Sequence, residues 1–164
     1  MVITIDPFEK LSSLAYGAAV SVAEIMAASS AHITLIVDDQ FCDLVNVGEL
    51  DPDQVTFPVN QYYPLDSYPA AAARLLSHRG YLSTDTLAVV TEYVEASPTV
   101  VPASFMGVPI VAGGWVYGEL FLTRGEGEPG FTGEDLELAM DLATVLGGRI
   151  PGVLAMEDEA AGEP

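Results

Sequence analysis

Residues 104–123 constrain the fold more than any other part of the chain. Two runs rich in apolar and β-branched residues, 104–111 and 115–123, are separated by Ala112-Gly113-Gly114. Such a spacing predicts a β-hairpin, because glycine readily takes the positive backbone angles that tight reversals need. Side chains alternate along a strand, so Val116, Gly118, Leu120 and Leu122 share one face while Trp115, Tyr117, Glu119 and Phe121 share the other. Both sets are largely apolar. A sheet with one wet face shows a cleaner alternation, so the hairpin is predicted to be the inner part of an antiparallel sheet covered on both sides.

The covers are legible on either side of it. Asp6 and Pro7 offer a cap and a first helical residue, with Glu9 completing a capping box. Leu11, Leu14, Ala15, Ala18, Val22, Ile25 and Met26 then recur at helical spacing, toward an expected end near Ser29 or Ser30. A second hairpin follows, with strands at 33–37 and 41–47 around Asp38-Asp39. The stretch 48–63, interrupted by Pro52 and Pro58, reads as irregular with one short strand near 55–59. Helix resumes near Tyr68 and runs through Ala70-Ala71-Ala72-Ala73-Arg74-Leu75-Leu76, with Gly80 expected as its left-handed terminator. Residues 81–83 fit a short strand, and 87–96 a helix that Pro98 and Pro102 end. Thr132 caps the last helix with Asp135 three residues on, and the helix is expected to stop near Arg149, before Pro151 and Gly152. One domain over 1–152 is expected, with 153–164 an acidic, disordered tail.

Charge and cysteine content exclude several classes. Five Lys and Arg against 24 Asp and Glu give a formal net charge of −19, which disfavours nucleic acid and anionic lipid as partners. A membrane span needs about 18 to 20 consecutive apolar residues, and the best stretch, 136–150, is interrupted by Asp141 and Arg149. The first residues lack a basic start followed by an apolar run, so a cytoplasmic protein is expected. Cys42 is the single cysteine, so no internal disulfide and no cysteine zinc site can form.

The order helix, hairpin, irregular middle, long hairpin, helix is joined by two local patterns. Ser104-Phe105-Met106-Gly107-Val108-Pro109-Ile110 leads into Trp115-Val116-Tyr117-Gly118-Glu119-Leu120-Phe121-Leu122, and Phe131, Thr132, Glu134, Asp135, Leu136, Leu142 and Ala143 follow at set spacing. Together they resemble the GAF family over nearly the whole chain before the tail. Leu44-Val45-Asn46-Val47-Gly48-Glu49-Leu50 and Tyr63-Pro64-Leu65-Asp66-Ser67-Tyr68-Pro69 are similar to a GAF subgroup of actinobacterial signalling proteins. The resemblance implies an α+β, PAS-related fold. It has an antiparallel sheet of about six strands, terminal helices on one face, and the irregular middle with its short helices over the other.

It also implies a ligand on the second face and a homodimer through the terminal helices. Leu136, Leu138, Met140, Leu142, Val145 and Leu146 offer more apolar surface than one sheet-facing stripe requires, which independently favours pairing. The ligand-binding candidates are Tyr63, Tyr68, Arg74, His78 and Tyr81, joined by Tyr62, with Trp115, Tyr117 and Phe121 as a floor. The same aromatics can equally fill a core.

No catalytic residue and no metal site are identified. Asp38-Asp39 and Asp51-Pro52-Asp53 lie in turn segments without a histidine cluster, and Gly125-Glu126-Gly127 lacks the Lys and Ser or Thr of a phosphate-binding loop. Cys42 has no basic neighbour in sequence to lower its pKa, and GAF-like methionine sulfoxide reductases rely on several cysteines. Some GAF sensors hold haem through one histidine, which nominates His78 or His32, although His78 and Arg79 are also explained by their place at a helix C-terminus. The signatures of cyclic-nucleotide and bilin-binding GAF domains are absent, and no cofactor is named by the sequence.

The expectation is therefore a non-enzymatic sensory domain that binds a small molecule or partner protein and passes its signal to an effector in another chain, or in a longer protein of which this is a fragment. The rivals are a ligand-free dimerisation scaffold and a redox-active enzyme or sensor using Cys42.

Overall fold

The computed structural model describes residues 7–48, 62–84, 87–96 and 103–161. Its elements are α1 (Pro7–Ile25), β1 (Ser30–Val37), β2 (Gln40–Gly48), β3 (Tyr62–Pro64), α2 (Pro69–Leu76), β4 (Tyr81–Leu82), α3 (Leu87–Ala96), β5 (Ser104–Ala112), β6 (Trp115–Arg124) and α4 (Gly133–Ala161). A single 3₁₀ turn at Leu65–Ser67 joins β3 to α2. The strands form one antiparallel sheet in the order β3-β2-β1-β6-β5-β4. The expected short strand at 55–59 lies outside the described residues.

Both hairpins close as their turn residues dictate. Gly113 and Gly114 have φ of 57° and 81°, the left-handed pair of a two-residue turn whose twist matches the strands it joins. Asp38 and Asp39 take the same conformation at 49° and 59°, which short acidic side chains tolerate.

The first face of the sheet carries Ile33, Leu35, Val108, Ile110, Leu120 and Leu122 against Leu11, Ala15, Ala19 and Val22 of α1, Met26 just after it, and Ala139, Ala143, Leu146 and Ile150 of α4. Burying each such leucine stabilises the fold by about 2 kcal/mol. The second face is covered by α2 and α3, where Ala71, Ala72, Leu75 and Val89 meet Phe41, Tyr81 and Phe105. Every residue from Ser104 to Ile110 is buried, so β5 and β6 are sheltered on both sides as their two apolar faces predict.

Four local expectations are corrected. α1 ends at Ile25 rather than near Ser29, because Ala27 turns left-handed (φ 46°) and β1 begins at Ser30. The left-handed terminator of α2 is His78 (φ 58°), not Gly80. His78 N–H bonds the Leu75 carbonyl at 2.9 Å and Arg79 N–H bonds that of Arg74 at 3.0 Å, a Schellman closure. Gly80 instead leaves room for close packing on Gly107, Val108 and Leu136.

The third correction concerns strand parity. The β5–β6 register shifts between Ile110 and Val111, so that Ile110 faces Gly118 while Val111 faces Val116. Tyr117 is the extra residue of this bulge, and it packs with the first-face core instead of beside Glu119 and Phe121. Fourth, α4 continues past Arg149 through Pro151 to Ala161, so residues 153–161 are helical rather than a disordered tail. Proline removes one hydrogen bond toward the preceding turn, but Val153 packs on the main core and Ala155, Ala160 and Ala161 favour helix, which carries the element onward.

Candidate functional site

The second face of the sheet holds a cluster of polar side chains within its core, buried Thr34 and Glu119 among them. Thr34 on β1 pairs in register with Asp43 on β2 and with Glu119 on β6, so a polar row crosses three adjacent strands. Asp43 Oδ1 accepts the Thr34 hydroxyl at 3.1 Å and the Tyr63 hydroxyl at 3.0 Å. Glu119 is only 4 % exposed, and Tyr81 donates its hydroxyl to Glu119 Oε1. Gly107, on β5 opposite Tyr81, is what permits this bond: a Cβ there would run into both the Tyr81 ring and the Glu119 carboxylate.

Aromatic rings wall the row. Phe41 lies 5.3 Å from Tyr63 and 6.3 Å from Tyr68, which is itself 5.7 Å from Tyr63. On the other flank Phe105 and Phe121 sit 5.6 Å apart, and the His32 ring meets Phe121 edge-on at 5.8 Å. α3 contributes Glu92, whose carboxylate accepts the N–H groups of Ala70 at 2.5 Å and Ala71 at 3.2 Å and so caps α2 from a neighbouring helix.

Burial dominates the electrostatics. It pushes the Glu119 carboxyl up to about 7; the Tyr81 hydroxyl opposes the rise and the nearby Asp43 charge adds to it. Tyr63 and Tyr68 are both raised, by burial first and then by the Asp43 and Glu119 charges. His32 is lowered by burial against the opposing influence of Asn46 and Asp43, which keeps its ring neutral at physiological pH. Asn46 Oδ1 is buried without a partner among the described residues.

Of the sequence candidates, Tyr63, Tyr68, Tyr81 and Phe121 are brought together here. Trp115 is not: it stands 75 % exposed at the tip of the β5–β6 hairpin, and Tyr117 lies on the opposite face. His78 is exposed at the end of α2 and Arg74 is half-buried in its last turn. Tyr62 is exposed on the edge strand. Cys42 is 1 % exposed in the helix-side core. Asp43, Thr34 and Glu119 were not nominated by the sequence, and His32 was nominated only as a haem ligand. The usable signal was Glu119 itself, an acid between Gly118 and Leu120 in a strand predicted to be covered on both faces.

On the first face, α1 and α4 leave between them an open apolar groove of ≈ 480 Å³, lined by residues such as Leu14, Gly17, Ile25, Leu142, Val145 and Arg149. Val145 is 64 % exposed, and Tyr16, Ile25 and Leu138 are exposed as well.

A six-stranded antiparallel sheet with paired terminal helices behind it and short helices before it is the architecture of small sensory modules. The GAF domain model matches residues 11–150, and the chain belongs to that family. Its fold is similar to that of a GAF domain/HD domain protein from Geobacter sulfurreducens (13% identity, TM-score 0.71, covering 90% of this chain and 96% of that one). It is also similar to residues 122 to 287 of a methyl-accepting chemotaxis protein (16%, 0.72, 89% and 92%) and to the second GAF domain of DevS from Mycobacterium smegmatis (14%, 0.67, 96% and 100%). No curated protein matches the sequence. Among the described residues, no helix is long and apolar enough to cross a membrane.

Proposed function

We propose that the chain is a non-catalytic, cytoplasmic sensory module that takes a small molecule or a partner's segment on the second face of its sheet and signals as a homodimer through α1 and α4. The observation that carries this reading is the polar row Asp43–Thr34–Glu119 within a ring of aromatic side chains. A face whose only task was packing would be filled with apolar residues, as the helix side is. The chemotaxis-protein fragment among its structural neighbours is consistent with a signalling role. The burial of Cys42 supports a structural thiol rather than a redox centre.

Exposed Leu138 and Val145 on α4, with half-buried Leu142 between them and exposed Ile25 on α1, support pairing of two copies, since together they offer apolar surface beyond what the core uses. A ligand would transmit only if it bound one arrangement of the paired helices more tightly than another. The effector then lies in another chain or beyond this one. Native mass spectrometry of protein gently purified from its own cells, followed by thermal-shift measurements with metabolites and nucleotides, tests the reading. A retained small molecule and a two-copy mass are expected; no retained mass together with a flat thermal response favours the alternative, a ligand-free dimerisation module.

A further inference from the structure

Among the described residues, the buried carboxyl of Glu119 has no counter-charge. The sequence holds five Lys and Arg residues in all, and each lies within the described residues. Lys10 and Arg149 are exposed on the terminal helices, Arg74 and Arg79 stand at the end of α2, and Arg124 is paired with Asp135 beside α4. Among the described residues, the one formal charge that acts on Glu119 is Asp43, and it has the same sign.

The two acids are not equivalent. Asp43 receives two hydroxyl hydrogens on one oxygen, from Thr34 and Tyr63, an arrangement that suits an ionised acceptor. Glu119 receives one, from Tyr81, and otherwise sits in the closed space over Gly107. Asp43 and Glu119 flank Thr34 on either side of β1, about 10 Å apart at the backbone, so their mutual repulsion is secondary to the burial of Glu119. Among the described residues, the other titratable groups facing this space are Tyr63 from β3, Tyr68 from the turn before α2, Glu92 from α3 and, one step along the strands, His32 from β1. Neutral phenols, a neutral imidazole and a further acid supply no positive charge.

Tyr81 also belongs to β4, a two-residue edge strand that pairs with β5 through Tyr81 and Leu82 and is followed by Ser83, which exchanges hydrogen bonds with the Phe105 carbonyl (2.9 Å) and N–H (3.1 Å); β4 connects α2 to α3. We infer that Glu119 is a proton-operated latch: protonated, it lets the α2–β4–α3 layer close on the sheet; ionised, it draws water under that layer and loosens it. The proton is released to solvent. This latch needs no small-molecule ligand, so it stands or falls apart from the reading above.

The sign follows from linkage. The folded state holds the Glu119 proton more tightly than the unfolded chain does, so its contribution to stability is complete below the unfolded value of 4.5 and is lost as pH rises to about 7. Each unit of difference is a factor of ten, so the folding equilibrium constant falls by about two orders of magnitude across that window.

The test is a ¹³C NMR titration of the Glu119 carboxyl carbon in the full chain, with urea unfolding of the wild type and Glu119→Gln between pH 4.5 and 8. A near-neutral midpoint is expected, and a wild-type loss of about a hundredfold relative to Glu119→Gln, in which the contributions of His32 and of net charge cancel. A carboxyl titrating in the ordinary glutamate range, or the same pH slope in both proteins, overturns the inference. Should Glu119→Gln not fold, Tyr81→Phe replaces it. Losing the donor that favours the ionised form must move the midpoint upward, and an unmoved midpoint refutes the latch.

Discussion

Arg124, the last residue of β6, is predicted to be the most costly single cation to remove. Its Nη2 donates to the Met26 carbonyl at 2.6 Å and its Nε to that of Ala27 at 3.3 Å, gripping the chain as it leaves α1. Its Nη1 reaches the Pro129 and Gly130 carbonyls at 3.2 and 3.4 Å and Asp135 Oδ2 at 3.4 Å, at the entry to α4. The guanidinium stacks 4.1 Å above the Phe131 ring, and the side chain is 11 % exposed. Replacement by Met keeps the stem and removes the charge. The short bond to Met26 is worth about 2 kcal/mol, because the carbonyl left behind is buried. The stacking contributes about 1 kcal/mol. The ion pair, long and partly solvated, adds about 0.5 kcal/mol, and the bonds beyond 3.2 Å add little. Arg124→Met should therefore cost about 3.5 kcal/mol, a drop of roughly 7 to 14 °C in melting temperature for a domain of this size. Urea denaturation with an unchanged m-value is the assay. A loss below about 1 kcal/mol would show that neither helix end depends on this residue. A double-mutant cycle with Asp135→Asn should give a coupling under about 1 kcal/mol, because carbonyls rather than the carboxylate hold the guanidinium.

Three further outcomes are expected. Val145→Glu should lower the self-association of the chain by at least tenfold in sedimentation velocity while leaving its circular dichroism unchanged, since Val145 is 64 % exposed and its charge is desolvated only in a pair. Gly107→Ala should destabilise by about 2 kcal/mol in urea, because strand packing holds Tyr81 and Glu119 where the new methyl must go. The folded-state value of His32 is depressed, so its contribution is present above pH 6.5 and lost as pH falls below it; His32→Gln should flatten the acid side of the stability profile measured by thermal melts.

The fold was readable where local rules and global packing agree. Turn residues at Asp38-Asp39 and Gly113-Gly114, two apolar helical stripes and the Thr132–Asp135 cap each had one reading, and the cap forms with Asp135 N–H on Thr132 Oγ1 at 3.2 Å. What escaped were features set by tertiary contact. The bulge that sends Tyr117 to the helix side leaves no local trace, because both parities of β6 are apolar. Helix beyond Pro151 depends on Val153 finding the core. The candidate site was half legible: Tyr63, Tyr68, Tyr81 and Phe121 follow from aromatic content and Glu119 stands out as an acid in a doubly covered strand, whereas Asp43 looks like a solvent-facing acid until the α2–α3 layer is placed above it.

The exposed indole at the β5–β6 tip has a practical corollary. Trp115 is the sole tryptophan and already sits in water in the native state, so its emission should shift little when the chain denatures. The same indole is a clean optical reporter of anything that docks against that reversal, whether a second copy, an effector or a quencher.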